Sequence, residues 1–360
     1  MEQQKALIGM SGGVDSSVAA YLTKQAGFDC MGATMRLYAP EEDDLSESRC
    51  CALDDVEDAR AVARRLGIPF HVFNFKEDFA RQVMDKFVRC YEAGLTPNPC
   101  IDCNKHLKFD RLLRRAMELG CSYVVTGHYA RIRRDEESGR YLLCRAADQA
   151  KDQTYFLACL NQDQLAHTRF PLGELPKVQV RQIAEENGFV TARKRDSQDI
   201  CFVPDGDYAA VMTRYTGKPY PEGNYLDEKG NILGKHKGAV CYTLGQRKGL
   251  GIALGAPAYV CKKDMQSNTV TLGPNEALFS KALRAKDWSW FPFPALTEPM
   301  RVTAKTRHSQ VEQAATVYPE ESGFARIEFD APQRAVTPGQ AVVLYDGDIV
   351  VGGGTITEAL

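Results

Sequence analysis

Six residues constrain this chain more tightly than its composition does. Ser11-Gly-Gly-Val-Asp-Ser16 lies directly between a short apolar run, Ala6-Leu-Ile-Gly-Met10, and a helix-forming segment through Ser17, Val18, Ala19, Ala20 and Leu22 that stops at Gly27. Strand, tight glycine turn, helix is the opening unit of a parallel sheet. Adjacent glycines let backbone N–H groups face a ligand with no Cβ in the way, and the helix N-terminus adds partial positive charge. The loop therefore suits a phosphate or pyrophosphate, with Ser11, Ser16 and Ser17 as extra hydroxyl donors. A plain glycine turn with a Ser/Asp helix cap would use the same residue types. It is not a Walker loop, because no Gly-Lys-Ser/Thr follows. Gly249, Gly251 and Gly255 lack G-x-G-x-x-G spacing and read as turns.

The alternation continues with a helix over 55–66 closed by Gly67, a strand over 70–73, a helix over 79–91 and a strand over 122–126. This predicts an α/β fold with a doubly wound parallel sheet. A hairpin follows at 130–145, turning at Glu137-Ser-Gly-Arg140, then helical pieces to Gly188. From Gly223 the chain fills with glycine and turn signals, and from Leu283 alternating runs such as Val302-Thr-Ala-Lys-Thr-Arg307 predict a small antiparallel barrel or sandwich. The expected domains are a nucleotide domain at 1–205, a small central α+β domain at 206–282 and a C-terminal antiparallel β-barrel at 283–360.

With 44% hydrophobic and 26% charged residues among 360, the chain can bury a core, which excludes disorder as its dominant state. No apolar stretch reaches the roughly 18 residues of a membrane span, and the N-terminus has no signal-peptide pattern. A net charge of −2 gives no global attraction to nucleic acid, so a polyanionic partner needs a local basic face. Lys105, Lys108, Arg111, Arg114 and Arg115, with Arg131, Arg133 and Arg134, are the candidates.

Twelve cysteines without an export signal point to reduced thiols, metal ligation or catalysis rather than a disulfide framework. Cys121, Cys144, Cys159, Cys241 and Cys261 sit in apolar patterns, as small hydrophobes do. Cys50-Cys51 reads as incidental. Pro97-Asn-Pro-Cys-Ile-Asp-Cys-Asn104 places Cys100 and Cys103 at the mouth of a helix whose Leu107, Phe109, Leu112, Leu113, Ala116 and Met117 are expected on one face. A thiol there, beside cations, should ionise more easily than usual. A structural zinc site needs four ligands, and no second Cys-x-x-Cys exists. Cys201, in Asp196-Ser-Gln-Asp-Ile-Cys-Phe202, is either a buried strand cysteine or a third reactive thiol.

The phosphate loop resembles that of the PP-loop ATP pyrophosphatases. Together with Thr96-Pro-Asn-Pro-Cys-Ile-Asp-Cys-Asn-Lys105, Thr126-Gly-His-Tyr-Ala130, Lys151-Asp-Gln-Thr-Tyr-Phe-Leu157, the Cys201 segment, Thr243-Leu-Gly-Gln-Arg-Lys-Gly-Leu-Gly251, Pro338-Gly-Gln340 and Gly352-Gly-Gly354, it makes nearly the whole chain resemble the bacterial tRNA-specific 2-thiouridylases. The resemblance implies a cytoplasmic enzyme that replaces O2 of the wobble uridine of tRNA with sulfur. ATP, with Mg²⁺, would adenylate that oxygen, releasing pyrophosphate and then AMP. It implies that Gly9, Met10, Ser11, Gly12, Gly13, Val14, Asp15 and Ser16 hold ATP, with Met35 and Gly127 near the nucleoside, and that Asp15 organises the triphosphate. By the same resemblance Cys201 carries a persulfide and Cys103 is the nucleophile, closing a transient Cys103–Cys201 disulfide. His128, Lys151, Asp152, Gln153, Arg307, His308 and Gln340 would contact tRNA. Asn98, Pro99 and Cys100 would surround the extruded base, which must leave the stack to be reached. The implied partners are tRNA with an unmodified wobble uridine and a sulfur donor protein, either a cysteine desulfurase or a sulfur-relay carrier.

One position departs from the family. Many members carry Asp where this chain has Cys100, and three thiols, Cys100, Cys103 and Cys201, would suit a [4Fe–4S] cluster with an open iron. Two further alternatives stand: another PP-loop enzyme acting on a small substrate, such as an argininosuccinate synthetase, and a non-enzymatic RNA-binding module.

Overall fold

The computed structural model describes residues 3–38, 53–194, 200–203 and 206–360; the Cys50-Cys51 pair and residues 196–199 of the Cys201 segment lie outside them. The strands in chain order are β1 (Lys5–Gly9), β2 (Asp29–Arg36), β3 (Phe70–Asn74), β4 (Tyr123–Val125), β5 (Arg131–Arg134), β6 (Tyr141–Cys144), β7 (Thr168–Arg169), β8 (Gly223–Leu226) and β9 (Ile232–His236). They continue as β10 (Tyr259–Asp264), β11 (Thr269–Gly273), β12 (Phe279–Trp290), β13 (Met300–Lys305), β14 (Gln313–Pro319), β15 (Ala325–Arg334), β16 (Ala341–Asp346) and β17 (Ile349–Ala359).

β1, β2, β3, β4 and β7 form the expected parallel sheet, in the order β3-β2-β1-β4-β7. Helix α1 (Val14–Gln25) returns the chain from β1 to β2, and α2 (Leu53–Leu66) leads from the described end of β2 to β3. Val18, Ala19 and Ala20 of α1 and Ala59, Val62 and Ala63 of α2 pack with Ala6 and Ile8 of β1. Full burial of an aliphatic side chain such as Ile8 contributes about 1.5–3 kcal/mol, so this layer fixes where α1 begins. The opposite layer carries α3 (Lys76–Phe79), α4 (Asp85–Glu92), α5 (Pro99–Cys103) and α6 (Leu112–Glu118), with π-helical turns at Ala80–Met84 and Asn104–Arg111 joining them. Short helices α7 (Thr154–Leu157) and α8 (Gln162–Ala166) precede α9 (Lys177–Glu186), which packs on the α1 layer through Val180 and Ala184.

After α10 (Tyr208–Thr216) comes a four-stranded sheet, β10-β11-β8-β9, in which β11 and β8 are parallel. Six antiparallel strands, β12-β15-β14-β13-β16-β17, then close into a barrel through β12 and β17. Gly352 and Gly354 admit the stacked Trp288 and Trp290 rings, whose atoms a Cβ would meet at 2.6 and 2.8 Å.

The expected hairpin is β5–β6, and Cys144 of β6 pairs with Ile349 of β17, so it extends the barrel sheet. One reading of the sequence needs correction. The helix after Cys103 does not present one apolar face. Leu107, Leu112, Leu113 and Ala116 enter one core, Phe109 points into another beside the barrel, and Met117 is exposed, because π turns shift the register of side chains. Among the described residues no helix is long and apolar enough to cross a membrane.

Candidate active site

The sheet order reverses direction between β1 and β4, and the loops leaving their C-terminal ends flank a crevice, the usual ligand position in open α/β sheets. Gly12 turns the first loop at φ +75°, and a Cβ there would fall 2.3 Å from the Asp55 carbonyl oxygen. Across the crevice a Cβ on Gly127 would lie 2.7 Å from the Asp15 carbonyl carbon and 2.8 Å from Ser16 N. Only glycine lets the first loop approach α2 at Gly12 and the loop after β4 approach the start of α1 at Gly127 this closely. Gly13 caps α1 without a side-chain hydrogen bond, so the first N–H groups of a 12-residue helix face the crevice.

The serines serve this loop differently from expectation. Ser16 and Ser17 donate to the Gly13 carbonyl at 3.0 and 2.9 Å, and Ser16 Oγ accepts from Ser11 N at 3.1 Å. Their hydroxyls shape the turn, and the first backbone N–H groups of α1 are left without a side-chain cap. Met10, almost fully buried, is tied to β2 by Met10 N→Ala33 O (2.8 Å) and Thr34 Oγ1→Met10 O (2.6 Å), while Met35 lies half-buried toward the end of β2.

Asp15 sits in a network that sequence reasoning missed. Lys177 Nζ donates to both carboxylate oxygens at 2.7 and 2.8 Å, and Tyr129 Oη donates to one of them at 2.7 Å. Tyr129 is held in turn by Gln153, through Tyr129 N→Gln153 Oε1 (3.0 Å) and Gln153 N→Tyr129 O (2.9 Å). Tyr129 belongs to a motif already singled out. Lys177 offers no local signal beyond following a proline.

Cys100 lies in the first turn of α5 and Cys103 is its last residue, with Asn98 as the N-cap. Cys103 is buried among Phe202 and Val203, and Phe202 meets Phe79 and Phe87 edge-on at 5.6 and 5.2 Å. These aromatic contacts bring the neighbouring Cys201 against the same core, half-buried in a turn rather than in a strand. Burial pushes the Cys100 thiol up, the nearby Cys201 adds to that, and Lys108 pulls it back only in part. The expectation of an easily ionised thiol therefore fails at Cys100, because desolvation outweighs the cation. Between the two cysteines, buried Asp102 pairs with Lys86 at 2.6 Å. Among the described residues no group of three or more His, Cys, Asp or Glu side chains is arranged to hold a metal ion.

The residues expected at tRNA fall into two groups. Gln340, Arg307 and Gln153 make internal contacts. Gln340 Nε2 donates to Thr96 O (3.0 Å) and Pro97 O (3.3 Å), docking the barrel on the segment that leads into Cys100. Arg307 donates to the carbonyls of Ala335 (2.6 Å) and Leu244 (3.4 Å), clamping the barrel to the central sheet. Asp152 accepts from Ala146 N (2.9 Å) and Thr154 Oγ1 (2.5 Å). His308 lies over the Phe156 ring at 4.5 Å and is hydrogen-bonded to the Asp152 backbone, which puts the Lys151–Gln153 turn beside the barrel. His128, by contrast, follows Gly127 in the loop after β4, with Thr126 Oγ1 at 2.7 Å from Nδ1 and Phe109 and Phe170 against its ring. The basic helix is largely neutralised: Arg111 pairs with Asp78, Arg114 with Asp110 and Arg115 with Glu118. Arg131 pairs with Glu174 and Asp348, while Arg133 and Arg134 are exposed.

A family model described as a tRNA methyl transferase HUP domain matches residues 4–205, one described as a tRNA methyl transferase PRC-barrel domain matches 210–274, and one described as an aminomethyltransferase beta-barrel domain matches 280–356. The tRNA-specific 2-thiouridylase MnmA of Clostridioides difficile (strain 630) is 52% identical over 357 residues, 99% of each chain. The chain belongs to this family. MnmA proteins of Acetivibrio thermocellus, 51% identical over 99% of this chain and 100% of that one, and of Clostridium perfringens (strain 13 / Type A), 48% identical over the full length of both, are equally similar end to end. The parallel sheet, the four-stranded sheet and the closed barrel are the HUP, PRC-barrel and β-barrel units of a MnmA chain.

Proposed function

We propose that this protein 2-thiolates the wobble uridine of tRNA at the cost of ATP. The observation that carries the reading is the meeting, in one core beside the phosphate crevice, of Cys103 and the Cys201 segment, nearly a hundred residues apart in a chain 52% identical to a 2-thiouridylase. The C2 oxygen of uracil is a poor leaving group. Its attack on the α-phosphate of ATP converts it to an AMP ester and releases pyrophosphate. The first-turn N–H groups of α1 and the loop Gly9–Ser16 bind the phosphates, with Met35 and Gly127 beside the nucleoside. Asp15, one-third exposed at the crevice mouth, is the carboxylate placed to hold Mg²⁺ together with those phosphates, which lowers their charge.

Sulfur then replaces the activated oxygen. The terminal sulfur of a Cys201 persulfide attacks C2, the Cys103 thiolate takes the Cys201 sulfur in a disulfide, and AMP departs with the former O2. Reduction of that disulfide and reloading of Cys201 by a cysteine desulfurase or a sulfur-relay carrier complete the cycle. Asn98, Pro99 and Cys100, at the start of α5, surround the extruded base. His128, Lys151, Asp152, Gln153, Arg307, His308 and Gln340 form or brace the tRNA surface.

Nucleoside mass spectrometry of unmodified tRNA incubated with ATP, the protein, a cysteine desulfurase with free cysteine as the persulfide source, and a dithiol to reduce the disulfide tests this directly. Formation of 2-thiouridine is expected, with its loss in Cys103→Ser and Cys201→Ser and retention of ATP binding in both. Pyrophosphate release that needs neither tRNA nor Cys103 would assign the crevice to a small substrate instead. Iron and acid-labile sulfide assayed after anaerobic purification separate the persulfide route from a [4Fe–4S] route through Cys100, Cys103 and Cys201: full activity in iron-free protein supports the former.

A further inference from the structure

Lys177 lies outside every motif that points to the reaction, yet it reaches both carboxylate oxygens of Asp15. Its Nζ bridges both carboxylate oxygens at 2.7 and 2.8 Å, and the side chain is nearly enclosed, 10% exposed against 32% for Asp15. The lysine is anchored from behind. It is the first residue of α9, its backbone N–H donates to Asp148 Oδ2 at 2.9 Å, and α9 is locked against the α1 layer by Val180 and Ala184. Tyr129 covers the ammonium, with Nζ 5.7 Å from the ring centroid, and donates its hydroxyl to the same Asp15 oxygen.

Stability does not account for such a pair. Burying a lysine and a carboxylate costs desolvation that their attraction often fails to recover. What the arrangement does achieve is orientation. Two donors on Asp15 fix the plane of its carboxylate, and the exposed third of the side chain lies at the crevice mouth. It also settles charge. A bare carboxylate at the N-terminus of α1 would oppose an incoming triphosphate, whereas a carboxylate neutralised by an adjoining ammonium does not.

We propose that Lys177 is a positioning residue for the ATP step, holding Asp15 in the geometry that receives Mg·ATP and cancelling its charge during phosphate entry, with Tyr129 as its second brace. The inference rests on the functional reading above. It concerns residues that the sequence motifs do not assign.

The test uses the full-length protein and measures pyrophosphate release with unmodified tRNA against ATP and Mg²⁺ concentration, together with Mg·ATP binding by titration calorimetry in the absence of tRNA, where Lys177→Met should weaken binding by a similar factor. Wild-type protein that releases no pyrophosphate overturns the functional reading itself. Given wild-type activity, Lys177→Met is expected to raise KM for Mg·ATP at least tenfold and to move Mg²⁺ activation to higher concentration. Lys177→Arg should recover part of the loss, and Tyr129→Phe should shift both curves in the same direction by a smaller factor. Asp15→Asn combined with Lys177→Met should cost little more than Asp15→Asn alone, since one residue acts through the other. Unchanged KM and Mg²⁺ dependence in Lys177→Met, or additive losses in the double variant, overturn the proposal. If Lys177→Met fails to fold by circular dichroism, Lys177→Arg and Tyr129→Phe decide: wild-type Mg²⁺ and ATP curves in both overturn it.

Discussion

Cys100 and His128 both feel Lys108, and the same cation acts on them in opposite balance. For the thiol it opposes burial, which prevails; for the imidazole it reinforces burial, and the ring is held neutral, well below its usual range. Cys100 should therefore alkylate with iodoacetamide more slowly than an ordinary thiol at neutral pH, its rate climbing only as pH rises beyond the normal thiol range. Lys108→Met should move that profile to still higher pH, read by mass spectrometry of the Cys100 peptide. At His128 the sign follows from linkage. The unfolded imidazole takes up a proton near pH 6.5 while the folded one resists, so its contribution to stability is present above about pH 6.5 and falls away below it. His128→Gln should flatten the acid loss of denaturant stability below about pH 6.5.

At the scale of elements, what matters is how closely backbones approach. The barrel reaches the Cys100 segment through one turn. Gly339, at φ +92°, has Thr96 N and O at 2.9 and 3.0 Å from any added Cβ, and Thr96 N donates to Pro338 O. Gly339→Ala should lower stability by about 1–2 kcal/mol from the left-handed backbone alone, more with the clash. It should also weaken thiolation further than ATP binding, because the crevice is built elsewhere. Gly12→Ala should instead abolish ATP binding measured by calorimetry, and thiolation with it. The sequence made this crevice legible because strand, glycine turn and helix are contiguous over twenty residues. The bonds that occupy its side chains were not legible: Ser16 and Ser17 turn back on Gly13, and Asp15 is claimed by Lys177 from 162 residues away. The helix after Cys103 misled for a different reason, since a 3.6-residue period assumes a register that π turns interrupt.

Across the whole molecule the three units share cores. Leu143 of the β5–β6 hairpin packs with Phe291, Val343, Tyr345 and Val350 of the barrel, and Arg140 donates to the carbonyls of Phe291 and Trp290 at 2.7 and 2.9 Å. Local alternation revealed the hairpin but not its partner, because strand pairing across two hundred residues leaves no trace in either segment. A fragment of residues 1–205 should consequently be poorly soluble and unfold less cooperatively than the full chain in urea. Four of the six histidines, His106, His128, His236 and His308, are held below their usual range, mainly by burial. The intact protein should therefore lose stability toward acid faster than its few buried carboxylates would dictate.

The pairing of Cys144 with Ile349 also sets a clock on biosynthesis. A ribosome adding about 5–20 residues per second needs roughly 10–40 s to travel from one to the other. For that interval the hairpin edge and the apolar side chains beneath it wait without their cover. Nor can Gln340 dock on Thr96 and Pro97 before the barrel is made. The segment bearing Cys100 and Cys103 is thus among the last parts of the nascent chain to be completed, so a translation product released early lacks the contacts that brace it.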